Sequence, residues 1–557
     1  MITVRTSLFG YLFFVLFCVA ILGCSPSDPQ TGSQTNWLRS CETDVDCGSQ
    51  SCHCGVCTHP CAEDSSCSTL AGSSCVVATD PGVVALCGGS PASDAGLCLA
   101  RCGNDVCAAG QNCVAGICSP LSSPDAQVSI DIQSRFQKLV GFGATLAYAE
   151  NDVVQYSNQA SLLEAMFSSL GLDVLRLRNR YGYTGDDNLA SAATITNAAA
   201  ASLGRQPTVI LDSWSPPASL KANGTTVCTG DADNCTMTRL TTGGFDYEAY
   251  ATYWRASLDA YIAVGVTPDY VGIQNNPDFV AASTDPGEAC RFLPTEGTAT
   301  VTTNGTTSVL QFPGYAQALN AVSRHLQGLV ATPKFIAPDV SAPSFVADYV
   351  DQLDISLVAA IGHHLYGSVP TSPDISALQQ LNQLGQSLGR PVFQTEMKAD
   401  GLGTAVLLHH TLVTEGASAY LHNALIGPSP TSTVNSGALI TLDGANFTAQ
   451  PCYHALRHFA LHTDPDWIRV AADSNQQNLL ASAFISPAGN ALTIVLVNSG
   501  VDPLTIQIGL SAATIANSQV TRTVFDGTER SADLGKLPFE NVLRLPEHSM
   551  ATVAIAL

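Results

Sequence analysis

Glu396 closes the apolar run 391–395, and a lone carboxylate in that place, buried among polar partners, is a candidate nucleophile. Other side chains able to do chemistry stand at the ends of similar short runs. Arg176 and Arg178 end one, Asp212 and Trp214 follow a second, Asn275 and Asn276 a third, and His364 and Tyr366 a fourth. Arg176 is expected to hold Glu396 ionised through a charge-assisted hydrogen bond, and the ionised carboxylate is the form that attacks. Two further acids, Asp278 and Glu288, lie in the stretch after Asn276. His363 and His364 are adjacent, so on a strand they face opposite sides and cannot converge on one ion; no metal is expected.

The elements that end at these residues must converge. From Val128 onward short β-rich runs alternate with amphipathic helical stretches, the pattern of a parallel α/β architecture. Eight strands are predicted, at 139–143, 174–177, 208–211, 270–273, 334–337, 358–364, 391–395 and 417–425. Among the helices between them, 247–264 carries Tyr250, Tyr253, Trp254, Leu258 and Tyr261 on one face. Eight such units predict a β/α barrel with insertions, a fold that collects functional side chains at the carboxyl ends of its strands.

Five motifs then occur in order: Gln137-Lys138-Leu139-Val140-Gly141-Phe142-Gly143, Trp214-Ser215-Pro216-Pro217-Ala218-Ser219-Leu220-Lys221-Ala222-Asn223-Gly224, Gln274-Asn275-Asn276-Pro277, Gly287-Glu288-Ala289-Cys290 and Phe393-Gln394-Thr395-Glu396. They resemble glycoside hydrolase family 30, whose elements read Q-x-x-x-G-F-G, W-S-P-P-A-W-M-K-x-N-G, Q-N-E-P, Y-E-x-C and a nucleophile strand ending in T-E. The segment 453–470, with His458-Phe459-Ala460 and Asp466-Trp467-Ile468-Arg469-Val470, is similar to that family's passage into its β-sandwich. The resemblance implies a barrel with acid/base and nucleophile on strands four and seven, and a C-terminal β-sandwich that recruits an N-terminal strand near 128–132. It implies Glu396 as nucleophile, Asn275 on the sugar 2-hydroxyl, and Arg176, Trp214, His364 and Tyr366 in the substrate site. No cofactor is implied, and the partner is a carbohydrate.

One position departs from the family. Retaining glycosidases use two carboxyl groups roughly 5 Å apart, one attacking carbon and one moving the proton. Here Asn276 stands where the family has the second, and an amide cannot deliver a proton. General acid–base assistance is worth on the order of 10²- to 10⁴-fold. Asp278 is the candidate substitute acid, with Glu288 in the following loop beside it. The implied function is retaining β-glycoside hydrolysis, and the alternative is a surface carbohydrate-binding pseudoenzyme.

The rest of the chain speaks to address and anchoring. Arg5, an apolar run at 8–22 and Ile21-Leu22-Gly23-Cys24 read as a lipoprotein signal peptide over 1–23, with Cys24 the acylated residue and Ser25 directing it to the outer membrane or cell surface. A linker at 24–40 leads to a module at 41–118 that holds 14 of the 20 cysteines: Cys41, Cys47, Cys52, Cys54, Cys57, Cys61, Cys67, Cys75, Cys87, Cys98, Cys102, Cys107, Cys113 and Cys118. In an exported chain that density predicts disulfides rather than zinc, and Cys228 with Cys235 predicts one more. The barrel is placed at 126–462 and the sandwich at 463–557. A net charge of −23 argues against nucleic acid and against membrane contact other than through the lipid, and a monomer is expected.

Overall fold

The computed structural model describes residues 38–557 except 39–40, 42–43, 48–49, 69–72, 88–94, 103–110, 115–116, 121–123, 186, 231–233, 304–305, 429–436, 511–516 and 538–540. The signal segment, Cys24, Cys107 and the side chain of Cys113 therefore lie outside the described residues. The chain forms two compact units, Met1–Leu121 and Ser122–Leu557.

The first unit is built of short antiparallel strands cross-linked by Cys41–Cys52, Cys47–Cys57, Cys54–Cys87, Cys61–Cys75 and Cys67–Cys98. Cys102 and Cys118 are also in disulfides. Leu38, which falls within the expected linker, is buried in the small core of this unit, and its N–H donates to the Cys57 carbonyl at 2.8 Å.

In the second unit a closed parallel barrel is formed by β1 (Gly141–Leu146), β2 (Val174–Arg178), β3 (Thr208–Asp212), β4 (Tyr270–Gly272), β5 (Lys334–Val340), β6 (Val358–His364), β7 (Val392–Met397) and β8 (Ala419–Asn423). Helices cover it outside, so strand residues are buried on both faces and apolar side chains fall on both, interrupted toward the carboxyl ends by polar residues such as Arg176, Asp212, Glu396 and Asn423. The helix Tyr247–Ala263 is capped by Asp246, whose side chain accepts from the Ala249 N–H, and it buries the aromatic face that its spacing predicts.

Side-chain alternation layers the interior. Val174, Ile210, Ile336, Ala360, Phe393, Ala419 and Leu421 pack as an apolar layer. Two residues farther along the same inward faces stand Arg176, Asp212 and Asn423, so the polar layer lies on a dry floor. Glu396 is three residues from Phe393, out of phase with that alternation. A register shift between Gln394 and Met397 turns it inward, the usual work of a bulge.

The C-terminal sheet has nine strands in one hydrogen-bonded order, and it recruits Ala126–Lys138 between Leu504–Leu510 and Ile468–Ser474. That N-terminal strand is longer than the predicted 128–132. Residues from the whole order, including Val128, Val470, Ile494, Ile506, Val520, Leu545 and Val553, meet in one core, so the sheet folds over on itself. Alternate residues Phe484, Val495, Val497 and Met550 face the other way into the barrel's core. The first barrel strand starts at Gly141 rather than 139, because Leu139 donates its N–H to the Trp467 carbonyl at the junction with the sheet.

Candidate active site

The polar layer at the carboxyl ends of the strands is organised around Arg176, which is fully buried. Its Nη1 donates to Glu396 Oε2 at 2.7 Å. Its Nη2 donates to Asp212 Oδ2 at 2.5 Å, Asn275 Oδ1 at 2.7 Å and Asp339 Oδ2 at 2.8 Å. Three carboxyl groups around one guanidinium cannot all be ionised in so dry a place. Burial pushes Asp212 well above the carboxylate range, and Arg176 offsets this only in part. At Asp339 burial is outweighed by Arg176 and His364, and its pKa falls well below that range. The pair therefore shares one proton, carried by Asp212 toward Asp339. Gly272 makes room for it, since a Cβ there would lie 2.7 Å from Asp212 Oδ1.

Glu396 is 4% exposed at the end of β7. Its Oε1 accepts from the Tyr366 hydroxyl at 2.6 Å and from Asn423 Nδ2 at 2.9 Å, while Oε2 faces Arg176. Burial alone would raise its pKa, but the fields of His364 and Arg176 and the Tyr366 hydrogen bond outweigh it, so the carboxyl titrates below its usual value. His364 Nε2 lies 3.6 Å from Asp339 Oδ2, and its ring meets Tyr366 edge-on with centroids 5.8 Å apart. His363 points the other way, to Glu415 at 2.8 Å. The Trp214 ring lies against Arg176, 4.7 Å from guanidinium carbon to ring centre, and Gln274 Nε2 fixes its backbone carbonyl at 2.8 Å.

Glu396, Arg176, Asn275, Trp214, His364 and Tyr366 thus come together as one contiguous set. Asn276 joins through its backbone, donating to the Asp339 carbonyl at 3.0 Å from a left-handed φ of +47° that asparagine tolerates. Its side-chain oxygen is buried without a hydrogen-bond partner. Asp278 is otherwise engaged, accepting from the Ser341 N–H at 2.9 Å and from the Ser341 hydroxyl. Sequence reading passed over Asn423, Asp339 and Thr395, whose hydroxyl donates to Asp339. Asn423 had a signal, two residues beyond an inward leucine. Asp339 had none, because β5 runs past the predicted end of its strand and shifts register between Pro338 and Val340.

A cavity of about 1010 Å³ lies at the opposite end of the barrel, where Tyr270, Lys334 and Val392 begin their strands, and no candidate residue lines it. A cleft of about 820 Å³ flanks the site instead, lined by Tyr148 after β1 and Ala424 after β8.

No family model matches the chain, and no curated protein matches it in sequence. Solved structures match it in fold. A family 30 subfamily 8 xylanase from Clostridium acetobutylicum has 20% identity and a TM-score of 0.57, over 77% of this chain and 100% of that one. The catalytic domain of xylanase C from Talaromyces cellulolyticus has 20% identity and a TM-score of 0.59 over the same shares. The endo-β1,6-glucanase BT3312 has 13% identity and a TM-score of 0.55, over 77% of this chain and 93% of that one. A barrel of eight parallel strands with the C-terminal sheet docked on it is the fold this chain shares with the family 30 glycoside hydrolases.

Proposed function

We propose that the protein is a retaining β-glycoside hydrolase of the family 30 type, acting on a β-linked glycan or glycoside. The observation that carries this reading is Glu396: a buried carboxylate with a lowered pKa, both oxygens held by donors, at the end of β7. Arg176 and Tyr366 keep it ionised and aimed for attack on the anomeric carbon. Arg176 engages Asn275 Oδ1, which leaves the amide N–H₂ of Asn275 to donate to the sugar 2-hydroxyl as positive charge grows on the ring. Trp214 and Tyr366 offer apolar faces to the sugar. That the matching structures include xylanases and a β1,6-glucanase supports a β-linked polysaccharide as substrate.

Asn276 favours a second reading, a carbohydrate-binding protein that no longer turns over. Dinitrophenyl β-glycosides separate the two, because their leaving group departs without a proton. The hydrolase should release a burst of dinitrophenol near one equivalent and then turn over more slowly, and Glu396→Gln should abolish both phases. Asn276→Glu should raise turnover of poor-leaving-group glycosides on the order of 10²-fold. No burst and no turnover on any sugar, with glycan binding retained, would give the binding protein the lead.

A further inference from the structure

Alternation along β2 puts Arg176 and Arg178 on the same inward face, one step apart. Arg176 holds Glu396, and Arg178 Nη1 donates to Glu288 Oε2 at 3.0 Å. Glu288 is therefore held by the arginine one inward step beyond the one that holds Glu396. It lies in the same post-β4 loop as Asn276, and its place is firmly built. Gly287–Glu288 pairs with Val227–Cys228, the Cys228–Cys235 disulfide closes that loop, and the Lys221 ammonium donates to the Ala289 carbonyl. The side chain is 12% exposed, so it is largely dry and still reachable. Asp278, by contrast, spends its carboxylate on Ser341.

We infer that Glu288 delivers and recovers the proton that Asn276 cannot, acting as a displaced acid/base of the hydrolase proposed above, on which this inference rests. Burial raises the Glu288 pKa, with Arg178 and Arg180 opposing the rise and Glu150 adding to it, so the carboxyl keeps its proton to higher pH than a free glutamate does. Facing it are Arg178, Arg180 and Tyr183 from β2 and its loop, Tyr148 and Glu150 from beyond β1, and Tyr253 from the helix Tyr247–Ala263. Tyr148 stacks on Arg178 at 3.8 Å, and its phenol feels both Glu288 and Glu396, so the two carboxyl groups border one space.

In the first half-reaction Glu396 forms a bond to the anomeric carbon. The bond to the aglycone oxygen breaks, its electron pair stays on that oxygen, and the oxygen takes the Glu288 proton. In the second, Glu288 as carboxylate removes a proton from water while the water oxygen bonds to the anomeric carbon and Glu396 leaves.

The test is Glu288→Gln in the full-length chain, assayed on dinitrophenyl and methyl β-glycosides of the same sugar. We expect kcat/KM on the methyl glycoside to fall on the order of 10²-fold, with the basic limb of its pH profile lost. On the dinitrophenyl glycoside the burst should persist, its slow phase should lengthen, and azide, which needs no base, should restore it. An equal loss on both substrates would mean a structural role and overturn the inference, as would no loss, or the same leaving-group-dependent loss appearing in Asp278→Asn instead. A wild type that gives a burst while Glu288→Gln is unchanged sinks only the role of Glu288. A wild type with no burst on any β-glycoside removes the hydrolase reading and this inference together.

Discussion

Tyr366 and Asn423 donate to one oxygen of Glu396 and Arg176 to the other, so the carboxylate is held ionised by partners from three different strand ends. Removing one charge-assisted bond of about 1.5–3 kcal/mol should show in both rate and titration. Glu396 is an acid with a lowered pKa, and loss of a donor raises it again. Tyr366→Phe should therefore shift the acid limb of kcat/KM to higher pH and lower the plateau by about ten- to a hundredfold. An acid limb that stays in place while the plateau falls would mean that Tyr366 serves the sugar and not the carboxylate. Much at this scale was legible in sequence. Arg176 and Glu396 are 220 residues apart, yet each sits at a strand end, and strand ends of a barrel converge. The shared proton of Asp212 and Asp339 was not legible, because it depends on a register shift in β5 that no local pattern announces.

Short β-rich runs between helical stretches made the eight strands readable, but not the irregularities that aim single residues. β7 needs a bulge to turn Glu396 inward, and a bulge leaves the composition of a strand unchanged. The docking of the sheet on the barrel was only partly legible, for beside the apolar contacts of Phe484, Val495, Val497 and Met550 it uses polar contacts between helices and strands far apart in the chain. His458, on the helix Pro451–Ala460, bonds the Thr552 and Thr523 hydroxyls at 2.9 Å each, and His409, on the helix Gly401–Val413, bonds Ser482 at 3.0 Å. Burial first, then neighbouring positive groups, lowers both imidazoles from 6.5 to about 3. Bases with depressed folded pKa values stabilise the fold fully above 6.5, and that stability is lost as pH falls toward 3. His363 works in the opposite sense: Glu415 outweighs burial and raises its pKa, so its contribution fades above 6.5. Glu396, lowered from 4.5, acts only below that value. Between pH 6.5 and 4.5 the interface histidines add to the rise of Tm with pH, as do His422 and His454, both lowered by burial to about 4, while Asp173, raised by burial to about 7, and the raised Asp212 and Glu288 act in the opposite sense. His458→Gln and His409→Gln should each flatten it, and an unchanged slope in both would show that these rings stay neutral for no energetic reason.

The two compact units are stabilised by different physics. Leu38, Val56, Val76, Val83, Leu97, Leu99 and Ile117 are most of the apolar core of the first, too few to hold it without its cross-links. The second has an extensive core and, among the described residues, the single disulfide Cys228–Cys235 across a separation of seven residues. The abrupt fall in cysteine content after Cys118 made this division readable, since oxidised density and apolar periodicity exclude each other along the chain. Calorimetry of the oxidised protein should therefore show two transitions. Reductant should erase that of the first unit and move that of the second by a few degrees at most, the short loop giving little chain entropy to lose. Alkylation sharpens the test. Cys290 and Cys452 are buried thiols, pushed up by burial to about 11 and about 12, so both are protonated and unreactive in the fold. In the unreduced native protein peptide mapping should find neither labelled, and after denaturation without reductant those two should be the labelled sites of the second unit. A single transition abolished by reductant would mean that the barrel leans on the disulfide module for its stability, and labelling of Cys228 or Cys235 before reduction would mean that the loop beneath Glu288 is not covalently closed.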